Sequence, residues 1–189
     1  MSSAFQLRLA RTAEAQYMKY RYLRENQSPL QEQIQKYWRD LRFSFPGVRT
    51  PWSAVFVSWC AYQAGASVSD FPFSSRHGDF IHQFIANARN KKGAFMARRV
   101  EQYAPKVGDI LHNNRSGNSF TYDYAATHSK YESHSAIVTE VGVDTHGGYL
   151  RTIGGNEDDA IGLKEVRLNR KGVVQDAQGL YISVVETLL

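Results

Sequence analysis

Residues 50–65 of this 189-residue chain, TPWSAVFVSWCAYQAG, restrict the fold more than any other stretch. Thr50 is placed to cap a helix, Pro51 fits a first turn where an N–H is not needed, and Gly65 fits a left-handed stop. Between these signals apolar side chains occupy nearly every face. A helix of that kind is expected to lie buried in the centre of a domain, covered on all sides by other elements. Its first turn nonetheless carries a hydroxyl, that of Ser53.

Such a helix needs partners, and the rest of the chain supplies them in two textures. Residues 4–24 place Phe5, Leu9, Ala13, Tyr17, Tyr20 and Leu23 at spacings of three and four, the stripe of an amphipathic helix. Residues 30–41 follow Ser28-Pro29 as a second helix, which Phe45-Pro46-Gly47 ends. Residues 79–89 read as another amphipathic helix. Beyond Pro105 the runs 107–111, 135–141, 149–153, 163–168 and 180–185 are short and β-prone, separated by Gly, Asp and Asn turns such as that at 144–148. Helices first and strands second predict an α+β fold with a largely antiparallel sheet. We divide the chain into an N-terminal helical extension, residues 1–46, packed on a single compact unit, residues 47–189. The polar stretch between Leu111 and Ser135 is long for a loop in a compact domain and is expected to form a wall or lid of a substrate groove.

Length and composition exclude several classes. The chain suits one domain with a helical extension, and two full domains are not expected. One cysteine, Cys60, rules out an intramolecular disulfide scaffold. The net charge of +5 favours anionic partners. The Lys and Arg residues are nevertheless spread along the chain, without zinc-finger spacing or an RNA-binding aromatic motif, and nucleic acid is not the expected partner. No segment is apolar enough to span a membrane, so no membrane insertion is expected. Residues 1–30 lack the apolar core of a signal peptide, and a protein acting outside the cytoplasm would need another delivery route. His77, His82, His128 and His134 show no HExxH or paired-cysteine spacing, and no metal or other cofactor is expected.

Acyl transfer on an amide requires a nucleophile, a base, a group that orients the base, and donors for the developing oxyanion. Ser53 sits at a helix N-terminus, whose free N–H groups and dipole favour negative charge. His134 stands just before the strand at 135–141, where a sheet edge can hold an imidazole. Asn156 follows the next strand through Gly154-Gly155 and is a candidate to fix that imidazole's tautomer. The bland reading of Ser53 is a residue that satisfies first-turn N–H groups, and Gly154-Gly155-Asn156 alone is only a turn. Cys60 lies seven residues after Ser53, roughly 10 Å deeper along the helix, as an inert core thiol.

Four blocks in order, at 51–59, 106–111, 134–138 and 153–156, resemble the motif set of the CHAP and NlpC-type peptidoglycan amidases and endopeptidases. The resemblance spans about residues 50–168. It implies a papain-like fold and hydrolysis of an amide bond in the cell-wall stem peptide, or of the bond joining peptide to sugar. It also assigns the nucleophile position to Ser53, the base to His134 and the orienting polar residue to Asn156. The family's usual nucleophile is Cys. Ser53 is then a natural serine, a Cys-to-Ser replacement, or the mark of a groove that binds without cutting. Trp52, His77, Asp109, Tyr122 and Tyr124 are the candidate substrate contacts, although a solvated loop position is the simpler reading of His77. The expected partner is peptidoglycan. An antibacterial effector or lysin of this type would be carried by a secretion machine and neutralised by a cognate immunity protein that plugs the groove.

Overall fold

The computed structural model describes residues 2–189. Its elements run α1 (Ala4–Tyr20), α2 (Leu30–Asp40), α3 (Ser53–Ala64), α4 (His77–Asn90), β1 (Phe95–Arg98), β2 (Ile110–Asn114), α5 (Tyr122–Ala125), β3 (Ser133–Asp144), β4 (Gly147–Glu157), β5 (Ala160–Arg167) and β6 (Tyr181–Thr187). The fold is α+β. The strands form one antiparallel sheet in the order β1-β6-β2-β3-β4-β5. Strand β1 was not expected. Its sequence, Phe-Met-Ala-Arg, has no alternation to betray it, and it exists because β6 offers an edge for it to pair with.

Helix α3 follows from its composition. Ten of its twelve residues are buried, and a helix apolar all round has no face to give to water. It ends at Gly65 in the left-handed region, φ 105°, where the backbone N–H returns to Ala61 and Tyr62 carbonyls. Its start differs from the sequence expectation. Thr50 and Pro51 precede the helix, Trp52 occupies the N-cap position without a side-chain cap, and Ser53 is the first helical residue.

Alternation along the strands divides the core in two. Ile110, Ile137, Ile153, Ile182 and Val185 face the helices and join the main cluster, with Phe5, Leu9, Tyr37, Trp52 and Phe56. The intervening Leu111, Val138, Leu150, Val166 and Val184 face the other way, where Val100, Leu168 and Val174 cover them. Helices α1 and α2 contribute Leu9, Ala13, Ile34, Tyr37 and Trp38 to the same cluster as α3, so these two helices share the core of the rest. Tyr37 packs against Trp52, Phe56 and Trp59, tying α2 to two turns of α3. Against α3 the sheet must come close: a Cβ on Gly155 would lie 2.5 Å from the Trp52 ring and 2.6 Å from Phe56 Cβ. Only glycine permits that approach.

Candidate active site

Two helix N-termini and one strand entry meet above the helix-covered side of the sheet. Helix α3 begins with Ser53 and helix α4 with His77, and neither N-cap residue, Trp52 or Arg76, makes a side-chain capping bond. Their first-turn N–H groups therefore lack a side-chain acceptor at the cap, although Asp79 N in α4 bonds the Arg76 carbonyl. The chain that leads into β3 closes over them. A Cβ on Gly78, in the first turn of α4, would sit 2.3 Å from the Ser129 carbonyl oxygen.

Ser53 Oγ lies 2.7 Å from His77 Nε2, and both residues are buried. With the ring proton on Nδ1, Nε2 accepts from the Ser53 hydroxyl. Burial holds the His77 imidazole well below the ordinary histidine value, and the charges of His134, His112 and Arg115 act in the same direction. A neutral ring at neutral pH can take a proton. His77 Nδ1, however, is buried without a hydrogen-bond partner among the described residues. The orienting acceptor of a complete triad is not in place on this histidine.

The expected partners of Ser53 are arranged differently. His134 Nε2 bonds Glu157 Oε1 at 3.0 Å, and Lys164 forms an ion pair with the same carboxylate. Burial raises the Glu157 pKa, but the hydrogen bonds and charges of His134 and Lys164 outweigh it and hold the carboxyl below its usual range. His134 pairs in register with Asn113 and not with His112. It therefore belongs to the same face as Ala136 and Val138, away from α3, and lines a small 60 Å³ cavity with Leu111, Ala136, Thr152 and Val166. Strand alternation is the reason that Ser53 meets His77 instead. The His77 and His134 rings remain neighbours, centroids 5.5 Å apart, at the end of the sheet.

Asn156 does not orient His134. Its Nδ2 donates to Glu25 Oε2 at 3.1 Å, and the same oxygen accepts from Trp52 Nε1 at 2.9 Å. The β4–β5 register shifts between Gly154 and Glu157, with Asn156 at φ 56°, so the next residue takes the position beside the imidazole. Gly154 makes room for the pair, since a Cβ there would approach His134 Nε2 to 2.8 Å and Glu157 Oε1 to 2.5 Å.

Three of the candidate substrate contacts lie elsewhere. Trp52 is fully buried in the core and offers substrate no surface. Asp109 is also fully buried. It accepts from Lys106 N, Thr187 N, Tyr103 OH and Gln6 Nε2, and burial raises its pKa to about 6 against the opposing pull of those bonds. It is a structural tie between α1, β2 and β6. Tyr122 donates to the Ala97 carbonyl and lines a separate 690 Å³ cavity with Ser119, Asp176 and Tyr181. Tyr124 stacks between Phe120 and His128 and meets Tyr131 edge-on, so it supports the groove wall from behind.

The groove itself is a 460 Å³ cavity over Ser53 and His77, walled by Arg115, Lys130, Tyr131 and Glu132. Both ends of the 111–135 stretch thus reach the site, while its middle folds into α5. Tyr131 OH lies 3.1 Å from His112 Nε2, and His112 Nδ1 is 2.8 Å from Ser135 Oγ. His112, Glu157 and Glu25 were not singled out from sequence. Only the register facts that Ser135 lies opposite His112 and that a bulge follows Gly154 could have pointed to the first two. Among the described residues, no group of three or more His, Cys, Asp or Glu is placed to hold a metal ion.

This is an α+β protein with a buried serine–histidine pair at two helix starts. The chain belongs to the DUF2272 family, described as an uncharacterized protein conserved in bacteria, whose model matches residues 26–185. That span contains Ser53, His77, His134 and Glu157 and stops one residue short of Glu25. Searches of curated proteins and of solved structures returned no match.

Proposed function

We propose that this protein is a papain-like peptidoglycan hydrolase that cleaves an amide bond, either within the stem peptide or between peptide and sugar. The observation that carries the reading is the 2.7 Å contact between Ser53 Oγ and His77 Nε2 at the start of a buried helix, beneath an open cavity. In this reading His77 accepts the Ser53 proton as Oγ attacks the amide carbonyl, and first-turn N–H groups of α3 hold the oxyanion. The His77 imidazolium then protonates the leaving amine, and water, deprotonated by the same ring, releases the acyl group from Ser53. The His134–Glu157 pair acts at one remove, beside the His77 ring and not on Ser53. Delivery by a secretion machine and a cognate immunity protein over the cavity are parts of the same proposal.

A wall-binding module with a silent groove is the second reading. The unpartnered His77 Nδ1 favours it, because a base without an orienting acceptor loses most of its catalytic value. Digestion of purified peptidoglycan by the native chain, Ser53→Ala and Ser53→Cys, with mass spectrometry of the soluble fragments, separates the two. The hydrolase releases fragments that Ser53→Ala does not, and their masses identify the bond. Binding to sacculi with no release by any of the three forms rejects hydrolysis.

A further inference from the structure

The cavity over Ser53 is unbalanced in charge. Arg76, Arg115 and Lys130 line it against a single acid, Glu132. Arg76 gives its Nε to Asp79 Oδ2 at 3.0 Å, but among the described residues neither Arg115 nor Lys130 forms an ion pair. Surface cations are ordinarily just solvated, and a cluster of them means little alone. Here they converge on a concave site that also holds the reactive hydroxyl. Helices α3 and α4 both start at its floor without side-chain caps, so their positive ends add to the same field. Low-dielectric walls around such a cleft strengthen the potential felt by an incoming group.

We propose that this cavity recognises a free carboxylate on the peptide beside the scissile amide, with Arg115 and Lys130 as the specificity-determining residues. The proposal rests on the reading of Ser53 as the acyl-accepting group only for which end of the ligand is cut; the recognition itself is a binding property. A carboxylate can accept a two-pronged contact from the Arg115 guanidinium and a point contact from the Lys130 ammonium. It would neutralise an excess of cationic side chains that the fold leaves unmatched. In the empty cavity burial, with the Arg115 charge acting in the same direction, disfavours a proton on His77; a bound carboxylate offsets the Arg115 part and leaves burial to keep the ring neutral.

The test uses the full-length protein and two probes, a soluble muropeptide with free carboxylates and the same muropeptide after chemical conversion of its carboxylates to amides. Binding is measured by calorimetry with Ser53→Ala, and hydrolysis with the native chain. The free-acid probe is expected to bind about 10-fold or more tightly than the amidated one. Arg115→Gln with Lys130→Gln should erase that difference, and raised salt should shrink it. Both residues are exposed, and circular dichroism of the double variant checks that the fold is intact. Equal binding of the two probes, no binding of either, or discrimination that survives the double variant overturns the proposal. Discrimination without hydrolysis by the native chain supports carboxylate recognition and rejects the hydrolase reading, so the two fail separately.

Discussion

His77 and His134 stand 5.5 Å apart by ring centroid, yet they solve opposite halves of one problem. His77, at the start of α4, touches the serine but has no acceptor for its second nitrogen. His134, at the start of β3, has a buried carboxylate partner but faces the side of the sheet away from α3. A complete Ser–His–carboxylate triad joins both relations in one histidine. The difference shows how a β-strand's two-residue period allocates function. A shift of one position at the entry to β3 would turn His134 toward Ser53, and Ser133 or Ser135 away from it.

The largest expected effect distinguishes the two rings directly. If His77 is the base, His77→Gln should lower kcat/KM on soluble muropeptides about 100-fold or more, within the usual range for a general base. His134→Gln should lower it less than about 10-fold, since it removes a neighbouring ring that does not touch Ser53. The reverse order would mean that His134 swings onto Ser53 when substrate binds, and the comparison would have to be inverted.

A smaller effect comes from the glycines that separate the two halves. Gly155→Ala drives a methyl into Trp52 and Phe56 at the start of α3, whereas Gly154→Ala drives one into the His134–Glu157 pair. Each should cost about 1–3 kcal/mol in urea unfolding, the usual range for overpacking. Only Gly155→Ala should also lower the rate of the folded enzyme disproportionately, because it displaces Ser53. Equal losses of rate would indicate that the His134–Glu157 pair is coupled to the chemistry as tightly as α3 is.

The smallest effect is a change of slope. Burial, followed by the charge of His134, pushes His112 down to about 3. An unfolded histidine takes its proton near pH 6.5, so between about 6.5 and 3 the unfolded chain binds a proton that the folded one refuses. Stability is fully present above pH 6.5 and falls as the pH drops through that window. His112→Gln should flatten this part of the curve in urea titrations at stepped pH. An unchanged slope would place the acid sensitivity elsewhere, with His77 the first alternative.

Much of this arrangement is legible in the sequence alone. Ser53 stood out because a hydroxyl interrupts an apolar run at a helix start, and Gly65 because a helix of that kind needs a stop. His134 was visible as a histidine ahead of a strand, but its facing was not, because facing depends on which of two adjacent residues meets the sheet's far side. Asn156 and Glu157 differ by one position, and a bulge chose between them. Trp52 and Asp109 have residue types that suit a substrate groove, and both are consumed by internal bonds that no local pattern reveals.

By itself the sequence determined the helices-then-strands layout, the buried helix and the presence of a hydroxyl at its start, because those depend on periodicity and turn chemistry within a few residues, whereas β1 and α5 came only with the tertiary structure. The tertiary structure alone decided that Ser53 faces His77, that Glu157 takes His134, and that three cations share one cavity. The first two pairings join residues 24 and 23 positions apart, and the cavity gathers Arg76, Arg115 and Lys130 from separate stretches, through strand register and helix placement. Register is set by the summed packing of both sheet faces, and no single stretch of chain encodes it.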